Sequence, residues 1–359
     1  MIRLRATAGS VLTALALLTV AGCAPGRAPA VLAAQQAEAA LRMPDMPLHD
    51  PFIVADAKTR TYHLFTSNVA SMTGVRGTGV MSYTSKDLKH WTKPKPVFLM
   101  PQGIWANGGG WAPEVHQWRG RWYLFVTLHN EQAPLPGDPT LHRRGTVLAV
   151  SDTLSGPFQP VRNGEPIVSA DRMTLDGTLY VDKRGRPHTV FANEWVQRID
   201  GTMEVMPLNN DLAPAGPPKV LFKASDAPWT AGQVQGSTSR RPGLKAFVTD
   251  GPQLHRTRTG QLIMLWSTWG SDGYVQAQAR SASGEIDGPW IQLGTLVRRD
   301  SGHGMLFRTF DGRLMMVIHR PFKNARGKLY EMRDAGDRFE IVRQRVDLDG
   351  DPPLATAAN

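Results

Sequence analysis

Five times the chain returns to one short pattern, in which a polar or charged residue opens a strand-like apolar run. The openings are His49-Asp50-Pro51-Phe52, Trp111-Ala112-Pro113-Glu114, Leu175-Asp176-Gly177-Thr178, Thr249-Asp250-Gly251-Pro252 and Gly302-His303-Gly304-Met305. Taken at Asp50, Glu114, Asp176, Asp250 and His303, they lie 64, 62, 74 and 53 residues apart. A turn signal such as Arg119-Gly120, Arg184-Gly185, Thr259-Gly260 or Asp311-Gly312 follows the openings. Second apolar runs come next (Tyr62–Phe65, Trp122–Val126, His188–Phe191, Gln261–Trp266, Arg313–Ile318), and third runs such as Val80–Tyr83, Val147–Val150 and Tyr274–Ala279 trail them. Short fourth runs, among them His90-Trp91, Gly288-Pro289-Trp290 and Phe339-Glu340-Ile341, close the units. Four short strands per unit, Gly-rich turns and no helical period predict an all-β, five-bladed β-propeller with four antiparallel strands in each blade. A β-sandwich also has many short strands, but gives no reason for an acidic residue at the opening of four successive units.

The openings also predict chemistry. Innermost strands of a propeller run along its axis, so their starts crowd at one mouth. Asp50, Glu114, Asp176 and Asp250 should therefore converge, and converging carboxylates raise the pKa of at least one. One protonated acid facing one ionised base, with room for a water, is what inverting glycoside hydrolysis requires.

The series His49-Asp50-Pro51-Phe52, Trp111-Ala112-Pro113-Glu114, Leu175-Asp176-Gly177, Asp250-Gly251-Pro252 and Gly302-His303-Gly304 resembles glycoside hydrolase family 43, over about residues 47 to 345. The resemblance implies a five-bladed propeller and an inverting enzyme acting mostly on α-L-arabinofuranosides and β-D-xylosides, with some galactose-linked substrates. It implies Asp50 as the base that activates water and Asp176 as a third carboxylate that tunes and orients the acid. Asp250 stands where the family usually has Glu, so its carboxyl is one methylene short at the position of the general acid. Glu194 is the substitute, because it ends a strand expected to run antiparallel to the one Asp176 starts and so meets the same rim. Asp226, in a loop, is a third candidate. His303 implies a channel-facing histidine that helps to hold a hydrated ion, often calcium; no cofactor is required.

Sugar-ring stacking is expected of Trp111 and Trp229, chosen from Trp105, Trp111, Trp195, Trp229 and Trp269. Glu114 is expected near the pocket in a mainly structural role. Arg280 is expected either at a sugar hydroxyl or in an ion pair. The leading expectation is an exo-acting α-L-arabinofuranosidase working as a monomer on plant-type oligo- or polysaccharide. A β-xylosidase, a galactose- or galactofuranose-specific glycosidase, and a carbohydrate-binding propeller that lost its acid are the alternatives.

Composition narrows the rest. With 41% apolar and 20% charged residues the chain is no disordered, collagenous or coiled-coil protein. Lys and Arg number 41 against 31 Asp and Glu, but no basic run clusters with aromatics, so nucleic acid is not an expected partner. Arg3 and Arg5 precede an apolar run from Val11 to Ala21 and then Gly22-Cys23, which resembles a bacterial lipobox. The expectation is a signal peptide over 1–22, a lipid on Cys23 as the sole membrane contact, an extracytoplasmic location, a tether over 23–46, a glycosidase domain over 47–350 and a tail over 351–359. Cys23 is the single cysteine, so no intrachain disulfide forms.

Overall fold

Both faces of nearly every central strand are apolar, and this dictates how the sheets stack. In the computed structural model, which describes residues 40–235 and 242–350, alternate residues of each second strand pack against opposite neighbours. Leu124, Val126 and Leu128 join a cluster with Leu64, Phe65 and Val80, whereas Phe125 packs with Phe191 and Met206. Likewise Met264 and Trp266 pack with Val190 and Met203, while Ile263 and Leu265 pack with Leu306, Met316 and Ile318. Met315 and Val317 return to the first cluster and complete the ring. Burying each such side chain is worth about 1.5–3 kcal/mol, so a two-faced strand is held from both sides.

The result is a five-bladed propeller of four-stranded antiparallel sheets, each with its strands in chain order. Blade 1 holds Phe52–Asp56, Thr61–Ser67, Gly79–Ser85 and Lys95–Leu99; blade 2 holds Gly108–Trp118, Arg121–Leu135, Asp138–Ser151 and Gln159–Pro160. Blade 3 holds Thr174–Val181, Pro187–Asn193, Thr202–Pro207 and Lys219–Lys223. Blade 4 holds Asp250–Arg256, Leu262–Gly270, Gly273–Ser281 and Trp290–Val297, and blade 5 holds Gly302–Arg308, Leu314–Arg320, Arg326–Asp334 and Phe339–Gln344. A ribbon of Gln233–Val234 with Lys245–Ala246 lies between blades 3 and 4 in sequence.

Two expectations change here. His90-Trp91 is not the outer strand of blade 1, which is Lys95–Leu99; instead Trp91, 1% exposed, bridges to Leu41. Residues 41–46 are also not tether. Met43 and Met46 are fully buried, the Leu48 N–H donates to Ala325 (3.0 Å), and Arg326 Nε donates to Pro44 O (2.8 Å). The segment before blade 1 thus fastens onto blade 5. The expected signal peptide, Cys23, the rest of the tether and the tail lie outside the described residues.

Candidate active site

The inner strands share a local irregularity that builds the mouth of the site. Pairing with the second strand slips between Trp111 and Glu114, across Leu175–Thr178, between Asp250 and Gln253, and between Gly302 and Met305. Each slip is a bulge, and one of its residues is left-handed: Ala112 (φ 44°), Asp176 (55°), Gly251 (54°) and His303 (50°). Asp50 (49°) takes the same conformation just before the inner strand of blade 1. Pro or Gly follows in every blade (Pro51, Pro113, Gly177, Pro252, Gly304). The exposed N–H of a bulge needs an acceptor, and side chains of the preceding blade provide it. Asp176 N–H donates to Thr127 Oγ1 (3.0 Å), His303 N–H to Ser267 Oγ (2.8 Å), Gly251 N–H to Asp176 Oδ2 (3.0 Å) and Asp50 N–H to His319 Nδ1 (3.2 Å).

This register corrects the expected ring of four equivalent acids. Asp50 and Asp176 hold the left-handed position, Asp250 precedes it by one residue, and Glu114 follows it by two. His49, Trp111, Leu175 and Asp250, all in the preceding position, line one cavity together with Asp50, Asp176 and His303. That cavity measures about 690 Å³ and is also walled by Arg144, Glu194, Trp195, Trp269, Tyr274 and Phe322. Glu114 does not line it. It lies buried in the channel, bonded by the Thr178 hydroxyl and 2.9 Å from His116 Nε2, so its role there is structural.

Three imidazoles surround the carboxylate of Asp50. Nδ1 of His49, His303 and His319 lie 2.9, 3.2 and 3.3 Å from its Oδ1. Burial by itself would raise the pKa, but the electrostatic pull of His303 and His49 and the hydrogen bond from His49 outweigh it. Asp50 is held well below the ordinary carboxylate range and is ionised throughout the neutral region. His49 stacks on His319 at 4.2 Å, and His319 is parallel to the Tyr274 ring at 5.6 Å, which fixes the cradle.

For the other two aspartates of the cavity the balance reverses. Asp250 is pushed up to about 7, by burial first, eased by the Tyr274 hydroxyl that donates to Oδ2 (2.9 Å), and raised further by the charges of Asp50 and Glu194. Asp176 is pushed well above the usual range by burial and by the charges of Asp250 and Asp50. Tyr274 rises too, by burial and then by its acidic neighbours, and so keeps its proton. At neutral pH one carboxyl is a base and an opposing pair retains a proton.

Glu194, 5% exposed, ends the second strand of blade 3 as expected and lines the same cavity as Asp176. Burial raises its pKa and Arg144, whose Nη1 donates to Oε1, pulls it back. Three other expected residues are elsewhere. Asp226 accepts from the Lys223 N–H (2.8 Å) and caps its own turn beyond the outer strand of blade 3. Trp229 packs on Trp266 (5.5 Å) at a core cluster and does not line the cavity. Arg280 makes an ion pair with Asp337 (3.2 Å), the second of its two expected roles. Trp111 is at the cavity and 37% exposed, as stacking requires.

The ion expected at His303 is a hydrated one, whose oxygen ligands water would supply. His303 Nδ1 lies beside Asp50, which leaves Nε2 to meet such a water, and other inner-strand polar groups are paired among themselves: Glu114 with Thr178 and His116, and Gln253 with His255 (2.7 Å) and the Leu306 N–H (2.8 Å). The residues that sequence reasoning missed are His49, Arg144, Tyr274 and His319. Only His49 carried a signal, as the residue that opens the first repeat.

A five-bladed propeller with an ionised base facing a protonated acid in one cavity is a glycosidase architecture. The sequence profile of glycosyl hydrolases family 43 matches residues 45–336, and the chain belongs to that family of glycoside hydrolases. Among solved structures, an endo-arabinase from Bacteroides thetaiotaomicron VPI-5482 is 36% identical, with 82% of this chain and 97% of that one covered and a TM-score of 0.73. An endo-1,4-beta-xylanase from the same organism (21% identity, 83% and 95% covered, TM-score 0.64) and an exo-1,5-alpha-L-arabinanase from a bovine ruminal metagenomic library (20%, 83% and 97%, 0.59) share the fold. No curated protein matches the chain.

Proposed function

We propose that this hydrolase cleaves α-L-arabinofuranosidic linkages with inversion, releasing terminal arabinose from plant-type polysaccharide, with Asp50 as general base and Asp250 as general acid. The observation that carries the mechanism is two aspartates lining one cavity in opposite surroundings, Asp50 within 2.9–3.3 Å of three imidazole nitrogens and Asp250 bonded by the Tyr274 hydroxyl, which lowers the pKa of the first while burial raises that of the second. Ionised Asp50 takes a proton from water as the water attacks the anomeric carbon. Asp250 gives its proton to the departing oxygen, and Asp176 holds the Gly251 N–H that places Asp250. Asp250 reaches less far than glutamate would, and the Tyr274 hydroxyl fixes the shorter side chain.

The arabinose assignment is supported by the 36% identical endo-arabinase. The same relative favours a second reading, internal cleavage of the same linkage. Aryl α-L-arabinofuranoside, β-D-xyloside, galactoside and galactofuranoside are compared first, and proton NMR then follows the first product. The arabinofuranoside should be cleaved best and yield the β-anomer initially. A product that keeps the α configuration would end the inverting assignment. On linear arabinan, release of monosaccharide from the first minutes supports terminal cleavage, and early oligosaccharides support the internal mode.

A further inference from the structure

Besides the carboxyls that act on the bond, one wall of the cavity carries a charged pair that the mechanism leaves unused. Arg144 comes from the third strand of blade 2 and Glu194 from the end of the second strand of blade 3. Their side chains are 10% and 6% exposed, and Nη1 of the arginine donates to Oε1 of the glutamate. Arg144 Nη2 lies 2.9 Å from His142 Nε2, and the guanidinium stands 4.9 Å over the ring of Trp111. Backbone bonds fix the glutamate: its N–H donates to Met173 O (2.9 Å), and its carbonyl accepts from Gln197 (3.0 Å) and Arg198 (2.9 Å).

Two atoms of this well-held pair have nothing to bond. Glu194 Oε2 and Arg144 Nε are both buried and lack a hydrogen-bond partner among the described residues. Leaving one buried acceptor and one buried donor unsatisfied is costly, and native proteins rarely do so without a use. Both residues line the cavity beside Trp111, whose exposed indole can take the apolar face of a sugar. A free acceptor on one member of a well-held ion pair and a free donor on the other complement sugar hydroxyls, which both donate and accept.

We propose that the Arg144–Glu194 pair is a sugar-binding element that reads ring hydroxyls of the substrate, and that Glu194 is a specificity residue and not the general acid. This rests on the assignment of Asp250 as the acid. A site built to bond a hydroxyl rejects the analogue lacking it far more strongly than an apolar pocket rejects a missing methylene. The pair therefore selects sugars with free ring hydroxyls over deoxy or substituted ones.

The test measures kcat/KM for 4-nitrophenyl α-L-arabinofuranoside and its 2-deoxy and 3-deoxy counterparts, in the wild type and in Glu194→Gln. Comparing the parent-to-deoxy ratio between enzymes cancels the intrinsic reactivity of each glycoside. The wild type should prefer the parent by on the order of 100-fold or more over at least one deoxy analogue. In Glu194→Gln that ratio should fall at least tenfold, mainly through KM, while the basic limb of the pH profile persists and moves to lower pH, because the charge of Glu194 no longer raises Asp250. A ratio unchanged by the substitution overturns the proposal. Loss of the basic limb with aryl cleavage spared overturns it differently, because Glu194 is then the acid and the Asp250 assignment fails with it. Glu194→Gln leaves a buried arginine without its counter-ion, so Arg144→Gln/Glu194→Gln, a neutral pair of similar size, is measured beside it and must lose the same discrimination. If the wild type prefers another sugar of the panel, the arabinose reading fails alone, and the deoxy analogues of that sugar test the pair in the same way.

Discussion

Asp50 and Asp250 are both aspartates at the start of an inner strand, yet the residues around them from blades 5 and 1 make one a base while those from blades 3 and 4 make the other an acid. Three imidazoles face the oxygen of Asp50, and they outweigh burial. Asp250 has one neutral hydroxyl, with the charges of Asp50 and Glu194 acting on it. Residue type is the same, but the backbone is offset by one residue: Asp50 is itself left-handed, whereas Asp250 precedes the left-handed Gly251. The partners differ too: His319 comes from the second strand of blade 5, and Tyr274 from the third strand of blade 4, the blade of Asp250 itself. Role is assigned by the strands packed around each carboxyl more than by the strand that carries it.

Asp50→Asn keeps the size and removes the charge, so kcat/KM should fall by ~10²–10⁴ on every substrate, activated or not, with circular dichroism unchanged. An equal rate from the variant would mean that the imidazole cradle, and not Asp50, activates water. Asp250→Asn should be more selective. Cleavage of arabinan should fall by ~10²–10⁴, whereas aryl glycosides, whose leaving groups need little help, should lose far less. The basic limb should vanish in that variant, because activity in the wild type is lost as pH rises through the Asp250 value of about 7. Equal losses on both substrate types would place the proton elsewhere.

The ring of blades was legible because every inner strand begins on a polar residue, a Pro or Gly and an apolar run, and because doubly buried strands leave long apolar stretches. The site was legible only where it sits on those inner strands. Asp50, Asp176, Asp250, Trp111 and His303 all come from them, but the one-residue offset of Asp250 was hidden, since Asp-Pro, Asp-Gly and Gly-Pro spell the same bulge in three ways. Arg144, Tyr274 and His319 come from second and third strands, where periodicity reports only that a face is buried, not which blade it meets. Asp226 and Trp229 misled for the converse reason. They stand in a loop with the composition of the mouth, but that loop follows the outer strand of blade 3.

The smallest predicted effect sharpens the comparison most, because it changes one proton donor and nothing else. Tyr274 is buried, 1% exposed, and Gly302 gives it room: a Cβ there would clash with the tyrosine ring, so the ring's place depends on the absence of a side chain opposite. Tyr274→Phe keeps the stacking on His319 and removes the hydroxyl bonded to Asp250 Oδ2. That hydrogen bond favours the ionised carboxylate, so its loss must raise the Asp250 pKa further. The basic limb should therefore move to higher pH while the acid limb, set by Asp50, stays where it is. The rate at the optimum should change by only about tenfold or less, the scale of one neutral hydrogen bond. A pH–rate profile on the aryl arabinofuranoside reads both limbs at once. Movement of the acid limb instead would show that Tyr274 acts through the imidazole stack on Asp50, and that the two sides of the cavity are one coupled unit.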